Sequence, residues 1–190
     1  MEKKESKKAI ATVPPIFFVE GAVGADIAGV SAEIEKLYPG AARADFSNAA
    51  SMQETRDGAL SFIAGAKGCP AAIVTNGPVN GLFSTAGTSK DKDSMARRIW
   101  NEAAKDYAPI LVMVACSKRE AEKRIGDGTK LDKYVATIEK YVSFYRDGLK
   151  TESGGKCFDT KIFISTTYES SDKIAKRLAK KARVAVKSRK

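Results

Sequence analysis

The residues placed to do chemistry in this 190-residue chain lie in one stretch, Pro15-Ile16-Phe17-Phe18-Val19-Glu20-Gly21-Ala22-Val23-Gly24-Ala25-Asp26-Ile27-Ala28. An apolar run rich in β-branched and aromatic residues reads as a buried strand, and the spacing Ile27, Val30, Ile34, Leu37 reads as a helix. A glycine turn between such a strand and helix is the setting of a phosphate-binding loop, G-x-x-x-x-G-K-[ST]. There, backbone N–H groups converge on an anion, a lysine neutralises the outer phosphates and a hydroxyl holds magnesium. Counted from Gly21, the second glycine falls on Asp26, the lysine on Ile27 and the hydroxyl on Ala28. Ile27 cannot pair with a phosphate and Ala28 cannot ligate a metal. Asp26 brings a carboxylate to the anion's place, and aspartate suits an N-cap that satisfies free N–H groups from within the chain. The loop reads as self-filled. The same residues also describe an ordinary strand-to-helix turn.

The rest of the inventory narrows the chemistry. The chain has no histidine, and Cys69, Cys116 and Cys157 are widely spaced. Zinc sites and histidine-based catalysis are excluded on that ground. Three thiols in strand-like surroundings read as reduced core residues of an intracellular protein. No apolar run approaches the roughly 18 residues of a transmembrane helix, and the start MEKKESKK lacks the apolar core of a secretory signal. The expectation is a soluble or particle-associated intracellular protein that is not secreted. The formal net charge of +10 favours an acidic partner, whether nucleic acid, an anionic protein surface or lipid headgroups.

The pattern along the chain predicts a basic arm over residues 1–13, one α/β domain over 14–187 and a basic tail at 188–190. Strands are expected at about 15–20, 42–46, 71–74, 109–116 and 161–165. Helices are expected at about 26–38, 49–66 (capped by Ser47 or Asn48), 91–106, 118–125, 130–148 and 170–187. Residues 79–90 read as a loop or broken helix. Over 130–148, Leu131, Tyr134, Val135, Ile138, Val142 and Tyr145 recur at helical spacing. Alternating strands and helices imply a parallel sheet covered on both faces, with right-handed crossovers.

In this order of parts the chain resembles the deoxynucleoside kinase and thymidylate kinase family of P-loop kinases, over about residues 14–187 and in layout more than in identities. Phe17-Phe18-Val19-Glu20-Gly21-Ala22-Val23-Gly24 is similar to that family's first strand and loop. Asn76-Gly77-Pro78-Val79 stands where the family has an acidic-Arg-Ser motif. The segment from Ala115 to Tyr145 resembles its strand, lid and following helix. The resemblance implies a three-layer P-loop kinase-like fold, a five-stranded parallel sheet in the order 2-3-1-4-5 flanked by helices. Against the family pattern, the loop lysine and hydroxyl are replaced at Ile27 and Ala28, and the acidic-Arg pair is Asn76-Gly77. The lid keeps Arg119 and Arg124 before Gly126-Asp127-Gly128. Asp45 matches the family's carboxylate near the end of strand two, or is simply a helix-flanking acid.

Charge collects at the two ends. Lys3, Lys4, Lys7 and Lys8 lie in the arm. The last helix carries Lys173, Lys176, Arg177, Lys180, Lys181, Arg183 and Lys187, with Arg189 and Lys190 beyond and Asp172 as its single acid. Ile174, Leu178, Ala182 and Ala185 or Val186 form its apolar stripe, so it can dock on the sheet with a basic face outward; a plain solvated face is the simpler reading. Together these features lead to the expectation of a catalytically inactive, kinase-like structural or scaffolding component of a large assembly. A minor capsid or virion protein of a large DNA virus is an example, docking on protein neighbours through basic termini. No catalytic residue, metal or cofactor is expected. Two alternatives stand beside it. One is a deoxynucleoside or nucleotide kinase with an atypical loop, using ATP and magnesium, with Asp45, Arg119 and Arg124 carrying the contacts. The other is a basic nucleic-acid-binding accessory protein.

Overall fold

The computed structural model describes residues 13–21, 24–76, 89–126 and 160–189. Several expectations lie outside these residues. They are the arm with Lys3, Lys4, Lys7 and Lys8, the segment 79–88, the helix over 130–148, Cys157 and Lys190.

Five strands form one parallel sheet: β1 (Pro15–Gly21), β2 (Ala42–Asp45), β3 (Ala72–Thr75), β4 (Ala108–Ala115) and β5 (Lys161–Ser165). They lie in the order β2-β3-β1-β4-β5, the order implied by the resemblance. Ile16 stands opposite Ala72 of β3 and Pro109 of β4, so the first strand is the centre of the sheet. The described helices are α1 (Ile27–Leu37), α2 (Met52–Gly65), α3 (Ser89–Asp106), α4 (Lys118–Ile125) and α5 (Ser171–Lys187).

The period of two along each strand distributes the core between two faces. Phe17 and Val19 of β1 point with Ile73, Ile110, Val112 and Val114 toward α1 and α5, which contribute Val30, Ile34, Ile174 and Leu178. Ile16 and Phe18 point the other way with Val74, Leu111 and Met113, onto Ala59 and Ile63 of α2 and Ile99, Trp100 and Ala103 of α3. Phe18 meets Trp100 with ring centroids 5.7 Å apart, and Phe17 meets Tyr38 at the same separation on the opposite face. Every residue of β4 is buried, as a strand covered on both sides must be. Edge strand β2 instead alternates, leaving Arg43 and Asp45 exposed. Burying Phe17 or Phe18 stabilises the fold by about 2–3 kcal/mol each.

One cap differs from expectation. Helix α2 begins after Ser51, whose Oγ accepts from Glu54 N at 3.1 Å, while Glu54 Oε2 accepts from Ala50 N at 2.8 Å. Ser47 is occupied earlier, donating to the Asp45 carboxylate from both N and Oγ at 3.1 Å. Cys69 also departs from expectation, being only half-buried, whereas Cys116 is buried in the core.

Candidate functional site

In parallel α/β sheets, ligand sites form outside the carboxyl ends of the strands, where crossovers diverge. Here that edge carries Glu20-Gly21 of β1, Asp45 of β2, Thr75-Asn76 of β3 and Cys116 after β4. The turn from β1 into α1 is described at Gly21 and from Gly24 onward; Ala22 and Val23 lie outside the described residues.

Asp26 is the N-cap of α1, and its Oδ1 accepts from Gly29 N at 2.9 Å. A Cβ on Gly29 would stand 2.4 Å from Asp26 Oδ2, so the glycine leaves room for the carboxylate above the first turn. Ile27 folds back over the end of β1. A Cβ on Gly21 would meet its Cγ1 at 2.6 Å and its Cδ1 at 2.8 Å. The small residue at Gly21 is therefore needed by an apolar neighbour of the same chain. Ala28 is exposed on the first turn of α1.

On its other side the turn leans on α4. Gly24 has φ +80°, and a Cβ there would stand 2.9 Å from Ala121 Cα, so both backbone conformation and packing require glycine. Its carbonyl oxygen accepts from Arg124 Nη1 at 2.9 Å and from Cys116 Sγ at 3.3 Å. Burial pushes the Cys116 thiol above its ordinary value; the Arg124 charge opposes this, and Glu120 and Asp26 add to it. Helix α4 starts at Ser117, whose Oγ accepts from Glu120 N, and ends at Gly126 in the left-handed conformation.

Asp45 belongs to a separate group. It lies two strand spacings from β1, about 10 Å. Its Oδ1 accepts from Asn76 Nδ2 at 2.9 Å, and Asn76 stands at φ +53°, in the left-handed region, at the end of β3. Burial would raise the Asp45 carboxyl, but hydrogen bonds from Asn76, Ser47 and Thr75 outweigh it and hold the group below the usual aspartate value. The structure thus brings Gly21, Gly24, Asp26, Ile27, Ala28 and Arg124 together. Asp45 pairs with Asn76 instead, and Arg119 is exposed on α4.

The basic helix α5 divides its cations. Ile174, Leu178, Ala182 and Ala185 are buried against the sheet. Lys173, Lys176, Lys180, Arg183 and Lys187 are exposed, as is Arg189 beyond the helix; Lys181 is half-buried. Arg177 does not belong with the outward group. Its Nη1 donates to Glu169 Oε2 and its Nη2 to the Phe163 carbonyl at 2.7 Å, so it ties α5 to β5. No sequence pattern marks that clasp, because one acceptor is a backbone carbonyl. At the amino end of the sheet, a cavity of about 680 Å³ is lined by Val13, Pro14, Tyr38, Cys69, Arg183 and Val186 among others. Among the described residues, no helix is long and apolar enough to cross a membrane.

No family model matches the sequence, and no curated protein matches it. Solved structures do. A shikimate kinase from Acinetobacter baumannii in complex with shikimate aligns with a TM-score of 0.52 at 11% identity, covering 89% of this chain and 93% of that one. The YorR protein of Bacillus subtilis, in complex with phosphorylated GDP, aligns with a TM-score of 0.55 at 15% identity over 92% and 98% of the two chains. An uncharacterized protein from Eubacterium ventriosum aligns with a TM-score of 0.51 at 13% identity over 89% and 98%. At these identities the likeness is one of fold: the chain has a kinase-like α/β fold with a five-stranded parallel sheet flanked by helices.

Proposed function

We propose that this chain is a kinase-fold protein that does not transfer phosphate and acts as a structural or scaffolding component of a large assembly. In this reading a virion is one such setting and the basic ends dock on neighbouring molecules. The observation that carries the reading is the turn after β1. The N–H of Gly29, free to meet an anion in a phosphate-binding loop, already donates to Asp26. The side chain at the lysine position, Ile27, lies over Gly21, and Ala28 offers no oxygen to magnesium. These residues do not fit a nucleotide triphosphate with its metal. The Asp26 carboxylate would repel the phosphates, and Ile27 brings no charge at the lysine position. Phosphoryl transfer rests almost wholly on positioning and charge stabilisation. Loss of one well-placed donor costs about 3–4 kcal/mol of barrier in other enzymes, so several losses at one turn remove most of the acceleration.

One observation favours a second reading, an atypical nucleotide kinase: Arg124 stands against the turn, 2.9 Å from the Gly24 carbonyl. Calorimetric titration of the full chain with ATP, with and without magnesium, separates the two. The expected result is no heat of binding by the natural chain and binding by the variant carrying Asp26→Gly, Ile27→Lys and Ala28→Ser. Micromolar binding by the natural chain would overturn the proposal and make Arg124 the first residue to substitute.

A further inference from the structure

We infer that the exposed face of α5 is a binding surface for the phosphate backbone of a nucleic-acid duplex. Lys173, Lys176, Lys180, Arg183 and Lys187 are exposed and follow one another at intervals of three and four residues. At 100° per residue they fall within about 80° of one another around the helix, and at 1.5 Å per residue they form a line about 21 Å long. The opposite face, Ile174, Leu178, Ala182 and Ala185, is buried against the sheet, so this line cannot rotate away from solvent. Arg177, which donates to Glu169 and the Phe163 carbonyl, lies off the line.

The spacing selects the partner. Phosphates of one strand recur about every 3.4 Å of axis while winding around it, so a straight 21 Å line spans roughly six steps and faces only some of their phosphates. The line contains no acid, the single acid of α5 being Asp172 in its first turn. It also lacks the aromatic or apolar anchor at the centre of a protein–protein contact; Val184, 53% exposed, lies on its flank. Evenly spaced cations without an anchor suit a repeating polyanion better than an acidic protein surface. This inference names a partner for the basic face of α5. It does not depend on the turn after β1, and nucleotide binding at that turn leaves it untouched.

The test is fluorescence anisotropy of a fluorescein-labelled, mixed-sequence 24-base-pair duplex titrated with the full chain at several salt concentrations. With three to five phosphates neutralised, log affinity should fall against log salt with a slope of about −3 to −4.5. A chain carrying Lys176→Glu, Lys180→Glu and Lys187→Glu should bind at least tenfold more weakly at low salt, with a flatter slope. The matching Lys→Arg chain should bind like the natural one, and circular dichroism of both confirms that α5 still forms. A slope near zero, unchanged binding by the folded glutamate variant, or displacement of the duplex by polyglutamate at equal charge would each overturn the inference.

Discussion

Arg124 donates from Nη1 to the carbonyl oxygen of Gly24 at 2.9 Å, joining positions one hundred residues apart in sequence. The bond holds the turn after β1 against α4, where Gly24 leaves no room for a side chain. Two substitutions should separate its contributions. Arg124→Ala removes one donor at an exposed position, where water replaces it, and should cost below about 1 kcal/mol. Gly24→Ala combines a left-handed residue with an approach to the Ala121 backbone and should cost about 2 kcal/mol or more. Urea denaturation curves with equal slopes check both values; equal costs would show that packing against α4 is unimportant.

The cap of α1 predicts a change of sign. Asp26→Ala should lose about 1 kcal/mol of stability, a drop of about 2–4 °C in Tm for a domain of this size. Gly29→Ala alone should bring no stabilisation, because the new Cβ displaces the Asp26 carboxylate. In the Asp26→Ala background that clash is gone, and Gly29→Ala should then stabilise by about 0.5–1 kcal/mol through helix propensity. A double-mutant cycle by thermal melting reads the difference directly.

Glu169 gives the stability a pH dependence. Its side chain is 8% exposed and accepts from Arg177 and from Ser165 N. Burial would raise its carboxyl, but the Arg177 and Ser165 hydrogen bonds prevail and set it below the ordinary glutamate value. A folded-state value below the unfolded one contributes stability above the unfolded pKa, and that contribution is lost as pH falls through the folded one. Denaturation midpoints of the natural chain should therefore decline below about pH 4.3, and Glu169→Gln should flatten the decline. At neutral pH, Arg177→Met should cost about 1–2 kcal/mol, discounted because the guanidinium reaches solvent.

The two described thiols should differ in reactivity. Cys116 is 5% exposed, and burial raises its thiol further from ionisation, whereas Cys69 is half-buried on the amino-end cavity. Brief alkylation of the native chain, mapped by mass spectrometry, should label Cys69 at least about tenfold faster than Cys116, because the thiolate is the reacting species.

The sheet was legible in the sequence because its signals are local and continuous. The runs at Phe17-Phe18-Val19 and Ile110-Leu111-Val112 are unbroken and apolar, each followed by a turn and a helical pattern, and their strands lie where that pattern puts them. The cap of α2 was less legible. Ser51 and Glu54 carry the S-x-x-E signature, yet Ser47 and Asn48 are equally good caps by type, and only the Asp45 carboxylate decides by taking Ser47. At the turn, aspartate before a helix foretells the capping bond of Asp26. The fold of Ile27 over Gly21 and the grip of Arg124 on Gly24 could not be read, because backbone carbonyls and empty space leave no residue type to recognise. Helix α5 shows the same limit: seven similar cations differ in role only once the Phe163 carbonyl is placed beside Arg177.

The placement of β1 at the centre of the sheet has a consequence for synthesis of the chain. On the ribosome its apolar run emerges before the other four described strands, while the Ile110 that faces Phe17 across β4 follows about 90 residues later, a wait of roughly 5–20 s at ordinary elongation rates. Throughout that interval Pro15-Ile16-Phe17-Phe18-Val19 has neither neighbour on the β4 side nor the helix α5 that will cover it. The nascent chain thus presents a ready target for chaperones that recognise exposed apolar segments, and α5, which follows the other described helices in the chain, is the one that closes this face of the core.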